Sequence, residues 1–246
     1  MNIKEQLMDS VITSEKILTY TYTFQFNNGE EQIYKLNLHC NNLEIIRDES
    51  RVSREWTELK NFKCPHCPLD EAEHKYCPVA LNLQDIITFF SDIPSYEEVK
   101  VTVATSEREY SKNTTVQVGV GSIIGIIMPT SGCPIVANLK PMVRYHLPFA
   151  SIEETEFRVF SMFLLAQYLK MRRGDSPDWS LTSLKKLYAD IQKLNVNVAQ
   201  KIADLEARDA SINAVVVLNN FADSVSFCLD EDDLSDFEFL FKEFME

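Results

Sequence analysis

Apolar and polar positions alternate from residue 18 to 26, with Tyr20, Tyr22, Phe24 and Phe26 on one side. That is the period of a strand with one buried face. Asn27-Asn28-Gly29 follows, residue types that tolerate positive φ, and the chain returns through 32–38, so the pattern predicts a β-hairpin. A third strand is predicted through 43–46, and another over 98–105, where Val99, Val101 and Val103 alternate. Between them the period changes. Leu83, Ile86, Ile87 and Phe90 recur at helical spacing and predict a helix over 81–93.

The second half reads as helical. Ser151 and Glu154 form a capping-box pattern, Phe157, Phe160, Phe163, Leu164 and Tyr168 follow, and Arg172-Arg173-Gly174 closes the helix. One or two more helices are predicted over 180–207, where Leu184, Leu187, Ile191, Leu194, Val198, Ile202 and Leu205 share a face. Residues 213–227 are predicted helical, although Val215-Val216-Val217 also suits a strand. Residues 234–244 are predicted to form an acidic amphipathic helix, with Phe237, Leu240, Phe241 and Phe244 on the side that packs on the core or on a partner. From 128 to 148 the chain carries Pro129, Pro134, Pro141 and Pro148, which predicts a stiff, irregular segment.

Gly119, Gly121 and Gly125 follow an alternating run, 115–118, as a strand, glycine turn and helix would. Such a unit can cradle a dinucleotide's pyrophosphate. The spacing is G-x-G-x-x-x-G, and proline-rich chain stands where an acid-ended strand should follow, so close helix packing through small residues is the preferred reading.

Composition narrows the classes. Of 246 residues, 45% are hydrophobic and 25% charged, enough apolar chain for a real core. The formal charge is −13, with eight acids against one base after residue 228. Acidity repels phosphate backbones, so no nucleic acid is expected as a partner. The polar start of the chain does not resemble a leader, and the apolar run 116–128 is short for a bilayer, so the expectation is a cytoplasmic protein with no membrane association. In that compartment, clustered cysteines point to metal or redox chemistry more than to disulfides.

Four of the six cysteines precede proline: Cys64, Cys67, Cys77 and Cys133. Cys64 and Cys67 make a C-x2-C turn, whose two sulfurs point to one side and can chelate one ion. Cys40 and Cys228 lack the proline and are expected to be buried small hydrophobes. Two ligand sets compete. One is Cys64, Cys67, Cys77 and Cys133. The other is local, with His74 as the alternative fourth ligand, giving C-x2-C-x6-H-x2-C. Zinc is the expected metal and a [4Fe–4S] cluster the alternative. Pro68 stands where a zinc knuckle usually has glycine, and it cannot donate an N–H to sulfur. Cys133 with His146 also suits a thiol nucleophile and its base, with Arg144 beside them for an anionic ligand.

The expected fold is α+β: an N-terminal antiparallel β-hairpin layer, a metal-binding cysteine segment and a helical C-terminal half. A β-rich region over 1–60 would precede a cysteine-containing α/β region over 61–246, with one continuous domain as the alternative. The expected function is that of a metal-binding protein, non-enzymatic, structural or regulatory, with a protein partner. A [4Fe–4S] redox or sensing protein and a thiol enzyme using Cys133 are the alternatives.

Overall fold

A computed structural model describes residues 16–48, 50–205, 209–231 and 234–246. Four antiparallel strands form one sheet in the order β2-β1-β3-β4: β1 Ile17–Phe26, β2 Glu31–His39, β3 Glu98–Ala104 and β4 Glu109–Thr115. The hairpin register pairs Tyr22 with Tyr34, and β1 then pairs with β3, Phe24 opposite Val101. The period-2 pattern thus buries Tyr20, Tyr22, Phe24, Leu36, Leu38, Val99, Val101 and Val103 on a single face. Gly29, at φ +88, makes the hairpin turn.

Two strand expectations are corrected. Residues 43–46 contribute only an isolated bridge, Leu38 to Ile45, because Leu43 takes φ 57 and turns the chain away. In the other direction, β4 carries no apolar alternation and buries none of its residues. It pairs with β3 through the backbone and forms a polar edge, which discourages pairing with other chains.

Five long helices complete the fold: α1 Pro78–Phe89, α2 Val116–Thr130, α3 Ile152–Arg172, α4 Thr182–Asp204 and α5 Asp209–Glu231. Helix α1 begins earlier than the 81–93 expected, because Pro78 takes the first helical position, where a missing N–H costs nothing. Helix α2 absorbs the glycines. Val116–Thr130 is one continuous helix, apolar all round and packed between the sheet and α5, so the strand-turn-helix alternative is not formed. A Cβ on Gly119 would meet Phe24 Cε1 at 2.5 Å, and Gly121 faces Ala214 of α5. The glycines let a helix approach neighbours on both sides, as the close-packing reading requires.

The proline segment is also more regular than expected. Helix α2 runs through Pro129, residues Val136–Leu139 make a 3-10 turn, and Pro141 starts the short helix Lys140–Arg144. Pro141 stands in a first turn, where no N–H partner is needed. In α3 the capping box is formed: Glu154 N donates to Ser151 Oγ at 3.1 Å, and Ser151 N to Glu154 Oε2 at 2.7 Å. Before α4, the Asp178 carboxylate accepts from Ser183 N at 2.7 Å. Helix α5 is longer than the 213–227 expected. Ala210–Glu231 is apolar and long enough by composition to cross a membrane, with a mean hydropathy of 1.4. Here it packs against α2, α3 and α4.

The tail is not the single helix expected. Ser235–Glu238, a 3-10 turn and Lys242–Met245 succeed one another. The break brings Phe237 and Phe241 both onto Phe157, at ring distances of 5.9 and 6.1 Å, while Phe244 stays exposed. The chain is thus mixed α+β, with the sheet in its N-terminal half and most of the helix in its C-terminal half.

Candidate metal centre

Cys77 and Cys133 occupy equivalent local positions. Each precedes a proline that opens a helical turn, and each carbonyl accepts the N–H four residues on: Leu81 N at 2.9 Å and Ala137 N at 3.0 Å. The Cys77 sulfur faces the N–H groups of Ala80 and Val79, and the Cys133 sulfur those of Val136 and Ile135. Orphan donors at a helix start stabilise a thiolate. Proline after cysteine therefore does not cost these sulfurs their N–H partners, because the donors come from the second and third residues on.

Three tertiary links draw the segments together. Residues 58 and 76 form a bridge, and Cys77 N donates to Thr57 O at 2.9 Å, which sets Cys77 beside the chain that leads to Cys64. The Asn82 amide donates to Pro78 O at 2.7 Å and to Ser131 O at 3.4 Å, pinning the approach to Cys133 on the first turn of α1. Gly132, at φ +96, sits against Pro78. Helix α4 supplies the third link through two side chains and one backbone carbonyl. Asn197 Nδ2 donates to Cys64 Sγ at 3.3 Å, Lys201 Nζ to Asn61 O at 2.8 Å, and the Asp190 carbonyl meets His66 Nε2 at 2.9 Å. Nothing in the cysteine spacing announces Asn197 or Asp190.

Cys64, Cys77 and Cys133 are buried and Cys67 is half-buried. Burial pushes the Cys64 thiol up to about 12, and charge repulsion from Cys77, Cys133 and Cys67 adds to the push. Cys77 rises to about 11, also chiefly through burial, against the N–H groups that favour its thiolate. Cys133 rises for the same reason. Ionising one of these thiols would thus make a second harder to ionise. They do not stand in ligand geometry: among the described residues, no three His, Cys, Asp or Glu side chains form a group that could hold a metal ion. A tetrahedral zinc site would bring the sulfurs to ~3.8 Å from one another, given Zn–S bonds of ~2.3 Å.

His74 is exposed, and its backbone N–H closes a turn onto Asp70 O at 2.9 Å. Of the two cysteines without proline, Cys40 is half-buried rather than buried. Cys228 is also half-buried, and its thiol donates to Glu156 Oε1 at 3.4 Å, a polar role that its apolar neighbourhood in sequence did not suggest.

His146 belongs to a different constellation. Its Nε2 lies 2.9 Å from Tyr22 Oη and 3.1 Å from Ser122 Oγ, and those two oxygens are 2.9 Å apart. Burial pushes the imidazole down to about 3, and Arg158 nearby adds to this. Arg144 is exposed. The arrangement therefore does not supply Cys133 with a base: its sulfur faces backbone donors, and His146 is engaged with Tyr22 and Ser122.

Residues 20–242 match the family model DUF6901, described as a domain of unknown function. No curated protein and no solved structure matches the chain.

Proposed function

The chain belongs to the DUF6901 family, and we propose that it is a metal-binding protein whose ion is held by Cys64, Cys67, Cys77 and Cys133. The observation that carries this reading is that thiols from segments far apart in sequence come close enough for ionisation of one to hinder ionisation of the others. Three of the four are buried and Cys67 is half-buried, an arrangement that leaves the sulfurs shielded from bulk water. Two of them also face backbone N–H pairs suited to thiolates. Cys133 is favoured over His74 as fourth ligand, since it shares the cluster and His74 is exposed.

Zinc is the proposed ion, and a [4Fe–4S] cluster is the second reading, favoured by the dry, proline-flanked surroundings of the sulfurs. Loading would remove the thiol protons and draw the sulfurs inward, with the N–H groups after Cys77 and Cys133 and the Asn197 amide bonding to the bound thiolates. The role is structural or regulatory rather than catalytic: the ion would clip residues 131–139 to the centre of the chain and so shape the surface offered to a protein partner. A cytoplasmic setting, where thiols stay reduced, belongs to the same proposal.

Metal analysis and an absorption spectrum of anaerobically purified protein test it. One zinc per chain and a colourless solution are expected, and a brown protein would transfer the site to the cluster. Cys133→Ser should lower metal content and His74→Ala should leave it unchanged. Metal-free protein that stays folded and gains nothing from added zinc or iron would sink the reading.

A further inference from the structure

A cavity of about 310 Å³ lies between α2, α4, α5 and residues 136–149, apart from the cysteine cluster. Its walls are mostly apolar, including Met142, Phe149, Leu218 and Phe221. Ser122 and His146 break them but bond to one another and to Tyr22; two other polar side chains do not bond to the described residues. Tyr188 is 4% exposed and Asn195 3%; both line the cavity from α4. Neither side chain has a hydrogen-bond partner among the described residues. Their polar atoms therefore open onto the cavity and are free to meet whatever occupies it.

Arg158, from α3, is the third polar group, and it lacks a counter-ion rather than a hydrogen bond. One terminal nitrogen donates to Met142 O at 2.8 Å and Tyr145 O at 3.0 Å, which fixes the guanidinium in place. Among the described residues it makes no ion pair; Glu154, one turn earlier, is held in the capping box. Its charge acts on both Tyr188 and His146. The chain carries 37 acids against 24 bases, yet among the described residues the cavity is lined by Arg158 and Lys112 and by no acid. In so acidic a protein, a pocket stripped of carboxylates reads as space for one brought from outside.

We propose that this cavity binds a small apolar molecule bearing one carboxylate, its charge on Arg158 and Tyr188 and its hydrocarbon body against the α2 and α5 walls. A single fixed guanidinium and one free hydroxyl suit one negative charge. Asn195 stands two helical turns from Tyr188, ~10 Å along the axis, so a longer ligand can meet a hydrogen-bonding group at its far end. The Ser122–His146 contact resembles a nucleophile with its base, but Tyr22 closes it into a triangle and the imidazole is a poor base. The site binds rather than reacts. It does not rest on the metal reading.

Calorimetric titration of the native protein with decanoate, decanol and decylamine tests this, with metal content measured in each sample. Saturable one-to-one binding of decanoate is expected, tighter than of decanol, with no binding of decylamine. Arg158→Gln should weaken decanoate about tenfold or more, and leave decanol near its native affinity. Tyr188→Phe guards against a folding defect. It removes an oxygen that no protein group uses, so stability should hold or rise while decanoate weakens by about threefold to tenfold. No saturable decanoate binding, equal binding of decanoate and decanol, or decanoate binding indifferent to both substitutions would each overturn the proposal.

Discussion

His146 has the clearest solution signature of any single residue. The unfolded chain protonates it near 6.5 and the folded chain only near 3. Between those values the unfolded state holds more protons, so stability falls as pH falls. The loss contributed by this residue approaches about 1.4 kcal/mol per pH unit within the window. Urea unfolding of His146→Asn beside the native chain checks it: the native stability should drop more steeply on acidification, and parallel curves would show that His146 is not held neutral. The sequence singled out His146 as a base for Cys133. Its true partners, Tyr22 and Ser122, are 124 and 24 residues away in the chain and lie on separate elements. No local spacing encodes that triangle, whereas the Cys-Pro repetition is local and was legible at once.

Among the elements, α2 separates packing from propensity. Gly119→Ala would drive a methyl into Phe24 and Val101, with contacts of 2.5 to 3.1 Å, and is expected to cost about 1–3 kcal/mol. At Gly121 the nearest atom to such a methyl is 3.7 Å away, so Gly121→Ala should be neutral or stabilise by up to ~1 kcal/mol through helix propensity. Denaturant midpoints of the two variants should move in opposite directions or differ clearly. Ser151→Ala, which opens the α3 capping box, should lower stability by about 1 kcal/mol in the same assay. The capping box and the alternating strands were readable because each depends on neighbours within a few residues. Strand β4 was not, since its only reason to be extended is the free edge of β3.

At the scale of the molecule, the proposed metal centre and the cavity share supports. Helix α4 touches Cys64 through Asn197 and lines the cavity through Tyr188 and Asn195. The turn that follows Cys133 contributes Val136 and Leu139 to the cavity wall. Removing the metal with a chelator should therefore lower the unfolding temperature, because metal-binding energy is folding energy. It should also weaken decanoate binding, and decanoate should in turn tighten the metal by the same factor, since such coupling is reciprocal. Thermal unfolding and decanoate titration before and after chelation measure both effects.

Sequence by itself determined what periodicity and local chemistry can carry. The hairpin at 17–39, the strand at 98–104, the α3 cap and the helical second half follow from alternation, helical spacing and a four-residue capping pattern. Each is decided by which face of a short segment avoids water. The thiol set was visible as a repetition, four cysteines before four prolines. Only the tertiary structure decided what surrounds those residues. It made a helix of the glycine run because Phe24 and Ala214 close on it from opposite sides. It pinned the approach to Cys133 on the first turn of α1 through Asn82, and it brought Arg158, Tyr188 and Asn195 to the wall of one cavity. Burial, pairing and the lack of a partner are properties of three-dimensional neighbours, and residues 30 or more positions apart acquire such neighbours only when the chain packs.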